Sequence, residues 1–244
     1  MTKLALAALS ALLVCRVAMA SEELITSAST SSGDPVPYVL NREPESPRYV
    51  FILFPGGAGA VDPHIEDGTL VYSAKSNFLL RARQFIVDEE FATVSANASP
   101  RKERIQAIID DLARRFPGAE VYLVGTSNGT EATIALADYL SDRIAGEIHT
   151  SSLARIAAFD AKRYKNRHLV VHHKDDACKN TPFHAAEYSH QHYGNDFIAM
   201  EGGTSLGNAC GPFAYHGYNG IERETVEAIK QWVKRGRQRD LSVP

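Results

Sequence analysis

Between Arg48 and Gly236, short runs of consecutive apolar residues alternate with stretches in which apolar residues recur every three or four positions. The first pattern is that of a strand buried on both faces, and the second is that of a helix lying on a sheet. Their alternation predicts an α/β fold with a mostly parallel central sheet and helices on both of its faces. Residues 49–54 form the first strong strand, followed by a helix over 77–90 and a strand over 91–95. A helix from about 101 places Ile105, Ile108, Ile109 and Leu112 on one stripe, and Phe116-Pro117-Gly118 ends it. Then come a strand over 120–125, a helix from about 128 to 140, and strands near 144–150 and 167–173. A helix over 181–193 and a strand over 196–200 precede the last helix, which begins near 222 with Val226, Ile229, Trp232 and Val233 on one face. Beyond Gly236 the basic and polar end is expected to fray.

Residues 21–47 read more weakly, with a Ser/Thr-rich piece and prolines at 35, 37, 44 and 47; 24–27 and 36–40 fit edge strands, where proline is tolerated. No internal repeat and no second domain are visible, so residues 21–244 are expected to form one domain with its core over about 36–236. The connection between the strands near 150 and 168 is short and leaves little room for a lid.

Residues 1–20 carry Lys3, an apolar stretch from Leu4 to Val14, and Ala18-Met19-Ala20 ahead of Ser21. Small residues at −3 and −1 fit signal-peptide cleavage, and the apolar run, interrupted by Arg16, is too short to span a bilayer. Lipidation at Cys15 is disfavoured by Val14 before it, and an apolar helix packed on the domain is the other alternative. Cleavage removes two of the 26 basic residues and none of the 29 acidic ones, taking the net charge from −3 to −5. No positive field then exists to hold nucleic acid, and no stable membrane anchor is expected. Cleavage also removes Cys15 and leaves Cys178 and Cys210 in a secreted or periplasmic chain, where an even count favours a disulfide between them.

The chemistry gathers at strand ends. Gly125-Thr126-Ser127-Asn128-Gly129 is a G-x-S-x-G between a strand and a helix, the context in which a sharp turn exposes a nucleophilic serine; the alternative is a serine that caps the helix. A serine hydroxyl needs a base, and the base needs an acid to orient it. After the strand at 167–173 come Asp175 and Asp176, of which Asp176, deeper in the loop, is the expected acid. His216, in the loop before the last helix, is the expected base. His184, His190 and His192 lie on or beside a polar helix, and His172 and His173, adjacent on a strand, point to opposite faces, so they read as structural and no metal site is expected. The loop Phe54-Pro55-Gly56-Gly57-Ala58-Gly59 follows the first strong strand and lets backbone N–H groups approach an oxyanion. The expected donors are Gly57 or Ala58, together with Asn128. A phosphate-binding glycine loop is the weaker alternative, because no G-x-G-x-x-G is present and no Lys-Ser/Thr follows.

With Gly56 to Gly59, the turn at Ser127, Asp176 after a strand and His216 before the last helix, in the order Ser, Asp, His, the chain resembles the α/β-hydrolase superfamily over roughly 36–236. It looks most like small secreted bacterial serine hydrolases with little cap, which carry His-His-x-x-Asp-x-Cys, here His172 to Cys178, and a later Cys…His-Gly pair, here Cys210 to Gly217. It departs from lipases and esterases in opening its glycine loop with Phe-Pro in place of His-Gly. The resemblance implies the fold and triad of a serine hydrolase and says almost nothing of the substrate; small or accessible carboxylic esters are expected because the short lid region implies a shallow, open cleft, and no cofactor is expected. An amidase, peptidase or thioesterase would use the same triad, and a non-catalytic binding protein is the alternative from another class. Oligomeric state is open. A Cys178–Cys210 bridge would tie the loop of the acid to the loop of the base.

Overall fold

The computed structural model describes residues 21–43 and 46–240, with side chains through Gly236. The segment read as a signal, residues 1–20 with Cys15, lies outside the described residues, as do 241–244.

Ten strands and five α-helices follow one another as β1 (Glu22–Ser29), β2 (Pro35–Arg42), β3 (Tyr49–Phe54), β4 (His64–Glu66), β5 (Thr69–Val71), α1 (Phe78–Ile86), β6 (Phe91–Ser95), α2 (Lys102–Arg115), β7 (Glu120–Thr126), α3 (Thr130–Leu140), β8 (Gly146–Thr150), β9 (Arg167–His173), α4 (Phe183–Tyr193), β10 (Asp196–Met200) and α5 (Glu222–Asp240). Eight strands form one sheet in the order β1-β2-β6-β3-β7-β8-β9-β10, parallel from β6 to β10 with an antiparallel β1–β2 pair at one edge.

The continuous apolar run of β3 is buried at every position because both faces of the sheet are covered. Val50, Ile52 and Phe54 point into one core with Ile105, Ile108, Ile109 and Leu112 of α2 and Leu136 of α3. Tyr49, Phe51 and Leu53 point into the opposite core with Phe78 and Leu79 of α1 and Val226, Ile229, Trp232 and Val233 of α5. Each predicted helix stripe therefore lands on the sheet face it requires.

Several boundaries differ from the sequence reading for local reasons. Helix α1 ends at Ile86, not near 90, because the Asp88 carboxylate accepts from the N–H groups of Glu90 and Phe91 and turns the chain straight into β6. Before α3, residues Ser127–Gly129 form a single 3-10 turn. Strand β2 is not an edge: it pairs with β6, but only through Val39–Asn41, clear of Pro35 and Pro37, so the missing N–H groups cost no bond to β6. The β4–β5 hairpin was not anticipated, although its turn is Asp67-Gly68 with both residues at positive φ (49° and 75°), the pair that such a two-residue turn favours. Helix α5 runs to Asp240, past Gly236.

The chain leaves β3 for β6 on one side and returns through α2 to β7 on the other. The loops after β3 and β7 therefore open next to each other at the carboxyl edge of the sheet, where Phe54 pairs with Gly125. Open α/β sheets form their ligand crevices at such points. Between β8 and β9 the chain makes only two short 3-10 turns, Ala154–Ala158 and Ala161–Arg163, in keeping with the expected lack of a large lid.

Candidate active site

Ser127 sits at the end of β7 with φ 51°, in the left-handed region that a side chain rarely adopts. The turn closes so tightly that a Cβ on Gly125 would lie 2.6 Å from the Gly129 carbonyl oxygen, and one on Gly129 would lie 2.1 Å from that of Phe54. Both glycines flanking the serine are thus required by contact. Gly56, in the neighbouring loop, approaches as closely: its Cβ would stand 2.9 Å from the Ser127 Cβ.

Ser127 and His216 line one open cleft of about 410 Å³ together with Gly56, Gly57, Ala58, Asn77 and Phe78. The Ser127 hydroxyl and the imidazole face this cleft without a hydrogen bond between them, and such bonds often tighten only when substrate binds. Gly57 and Ala58 stand on the cleft wall. The N–H of Asn128 belongs to the first turn after β7, whose N–H groups have no partner within the helix. The Asn128 side chain has a task the sequence did not indicate: its Nδ2 donates to the Gly57 carbonyl at 2.9 Å, clamping the glycine loop to the serine turn.

His216 Nδ1 donates to Asp176 Oδ2 at 3.0 Å, and the Asp176 side chain is fully buried. Asp175 is exposed and meets the site only through its backbone N–H on His173 Nδ1. Asp176 is held by three further contacts, and Thr181 also reaches the imidazole. Its Oδ1 accepts from the Cys178 N–H at 2.9 Å, its Oδ2 accepts from Thr181 Oγ1 at 3.0 Å, His172 Nε2 lies 3.2 Å from Oδ2, and Thr181 Oγ1 also lies 3.1 Å from His216 Nδ1. Burial by itself would raise the Asp176 pKa. The hydrogen bonds from His172 and His216, the attraction of His216 and the Cys178 N–H outweigh it and hold this carboxyl well below the usual carboxylate range.

The loop carrying His216 is tied down from beneath. Ser151 Oγ donates to the His216 carbonyl at 2.7 Å. Tyr218 OH accepts from the Ser151 N–H at 3.0 Å and donates to the Val171 carbonyl at 2.8 Å. Arg81 of α1 donates to the Gly217 carbonyl at 2.6 Å while pairing with Glu222 of α5. None of Thr181, Ser151, Tyr218 and Arg81 stands in a recognisable motif. His172, read as structural, also donates to the Thr181 carbonyl at 2.9 Å; its position four residues before Asp176 was the available signal for its contact with the acid. His173 is structural, stacked on Tyr215 and bonded to the Gly202 carbonyl.

Cys178 and Cys210 are bonded, with their Cα atoms 4.7 Å apart. Cys178 therefore offers no thiolate to a metal beside Asp176 and His216. The bridge closes a separation of 32 residues and joins the acid loop to the cleft wall, where Cys210 lies. In the chain-entropy picture this is worth about 3–4 kcal/mol. Reducing it is expected to lower the melting temperature by roughly 10 °C. An unchanged melting curve after verified reduction would remove the mechanical role of the bridge.

No protein-family model and no curated protein matches this sequence. Solved structures do match in fold. Est1E from Butyrivibrio proteoclasticus superposes with a TM-score of 0.60 at 16% identity, covering 86% of this chain and 98% of its own. A thermophilic esterase from Thermogutta terrifontis gives 0.58 at 12% identity over 87% and 98%. XC6422 from Xanthomonas campestris, described as an α/β serine hydrolase without a lid, gives 0.56 at 13% over 86% and 96%. Identities this low speak for the backbone alone, and together with the strand order they establish that this chain has the α/β-hydrolase fold with a minimal cap.

Proposed function

We propose that the chain is a serine hydrolase that cleaves carboxylic ester-type bonds of small molecules through an acyl-enzyme. The observation that carries this reading is that a serine on a left-handed turn shares a cleft with a histidine whose far nitrogen is held at 3.0 Å by a buried carboxylate. Ser127 Oγ attacks the carbonyl carbon as its proton passes to His216 Nε2. Asp176 holds the imidazole by Nδ1 and stabilises the imidazolium that forms. The N–H of Gly57 or Ala58 and that of Asn128 donate to the oxyanion, each worth roughly 3 kcal/mol when removed alone. The proton then goes to the leaving alcohol, and water repeats the sequence to release the acid and restore Ser127.

An ester is favoured over a bulkier substrate because the cleft is open and little is built over it. The disulfide fits an oxidising compartment, secreted or periplasmic, after removal of residues 1–20. Among the described residues, no helix is long and apolar enough to cross a membrane.

A fluorophosphonate probe tests the assignment. It is expected to label the wild-type chain at Ser127 and to leave Ser127→Ala unlabelled. Absence of wild-type labelling, or equal labelling of the variant, overturns the reading. Turnover of matched esters, thioesters and amides of graded acyl length then ranks the bond classes.

A further inference from the structure

The sheet face beneath α3 and α4 buries a carboxylate and two imidazoles that the proposed mechanism does not use. Glu147 and His149 are alternate residues of β8, so both side chains point to one face, and His168 of β9 is the register partner of Glu147. All three are buried, with Glu147 and His149 fully inaccessible. Glu147 Oε2 lies 3.6 Å from His168 Nδ1 and 3.9 Å from His149 Nε2, too far for good hydrogen bonds. Among the described residues, the four atoms Glu147 Oε1 and Oε2, His149 Nε2 and His168 Nδ1 have no hydrogen-bond partner.

The outward nitrogens fix what faces inward. Thr133 Oγ1 gives its proton to the Thr130 carbonyl at 3.0 Å, so at 2.9 Å from His149 it accepts, and His149 Nδ1 carries the ring proton. His168 Nε2 meets Asn166 Oδ1 at 2.9 Å and likewise carries its ring proton outward. Both rings thus present a bare lone pair to a carboxylate, and three acceptor groups converge with no donor among them. A proton on Glu147 would satisfy one of those lone pairs and leave the rest facing it. A divalent cation satisfies all of them.

We infer that Glu147, His149 and His168 bind one divalent cation of the zinc class through the Glu147 carboxylate and one nitrogen of each histidine. Two imidazoles and a carboxylate are a donor set that zinc accepts, and outward ring N–H groups held by Thr133 and Asn166 are the outer contacts that metal-binding histidines make. Donor atoms from different residues around a zinc ion stand about 3.4 Å apart, and one ligand atom from each of the three residues lies within 4.8 Å of the others, so the side chains close in by small rotations. Phe159 packs its ring against both histidines, and Tyr164 packs against His168, leaving no entry for substrate. The site is structural. Through Thr133 and Thr130, whose hydroxyl donates to the Ser127 carbonyl at 2.6 Å, it anchors the first turn of α3 behind the nucleophile.

The test is elemental analysis of the full-length chain expressed in zinc-supplemented medium, which requires no variant to fold. About one zinc per chain is expected to survive gel filtration in weak chelator. Protein refolded with cobalt(II) in place of zinc is expected to show the visible d–d absorption of a bound low-coordinate ion. Glu147→Gln, which keeps the shape and removes the charge, is expected to lose the metal and melt lower. Wild-type protein free of metal, with Glu147→Gln melting at or above it, would show that the carboxyl simply carries a proton and would overturn the site. Equal metal in wild type and Glu147→Gln would overturn the ligand assignment.

Discussion

Ser127→Ala is expected to lower kcat on a small ester by about 10⁴-fold or more with KM little changed, and His216→Ala to do the same. Among the described residues Ser127 Oγ makes no hydrogen bond, and alanine keeps the same backbone demands at φ 51°, so the melting temperature of the variant should match wild type. That separates loss of chemistry from loss of fold. The double variant is expected to be no worse than either single one, because nucleophile and base act as a unit and removing one already removes the step they share. Residual hydrolysis above the uncatalysed rate would remain in all three, carried by the backbone donors of the glycine loop and of Asn128. Stopped-flow or steady-state assays on a chromogenic ester check each number. Multiplicative losses in the double variant, or a Ser127→Ala enzyme within tenfold of wild type, would show that another residue attacks.

Why some of this was readable along the chain and some was not follows from sequence distance. The run Tyr49–Phe54 was legible because a strand buried on both faces leaves its whole length apolar, and α2 and α5 because their stripes must match a sheet. The serine turn was legible because its requirements are contiguous: Gly125 and Gly129 are forced by contacts made within and beside one tight turn. The acid is legible from its place after a strand and the base from its place in the loop before the last helix, and the structure brings Asp176 and His216 together at 3.0 Å across a separation of 40 residues. The supports were not legible. Thr181, Ser151 and Tyr218 are ordinary polar residues until β8, β9 and the last loop are assembled, and they carry no spacing that marks them. The Glu147, His149 and His168 cluster was hidden for the same reason: half of it is created by the register between β8 and β9. The expectation of no metal site rests on His172 and His173, which point to opposite faces of one strand; the Glu147–His168 pair exists only through the register of two strands.

Asp176→Asn is expected to cost about 10⁴-fold in kcat/KM, whereas Asp175→Asn stays within a few-fold of wild type. The isosteric amide fills the same space, so the two side chains differ only in their protons and lone pairs. Asp176 Oδ2 accepts from His216 Nδ1, from Thr181 Oγ1 and, at 3.2 Å, from His172 Nε2. An amide NH₂ placed there has no lone pair to offer, and His216 responds by accepting at Nδ1 and carrying its proton on Nε2, toward Ser127, where it can no longer act as base. Turned the other way, the amide keeps its oxygen toward His216 but sets its NH₂ against the Cys178 N–H, donor against donor. Acid should reveal the same carboxylate. Its pKa is held well below the unfolded value by its partners, so it contributes stability that is fully present above about pH 4 and lost as the pH falls through the depressed folded value. Wild-type melting temperature is therefore expected to drop on acidification below about pH 4 more steeply than that of Asp176→Asn, which has no such proton to take up. Kinetics on both aspartate variants, with thermal melts from pH 7 to pH 3, check the two halves together. If Asp175→Asn proved the more damaging change, the acid would have to be reassigned to the exposed residue and the buried network around Asp176 would be structural only.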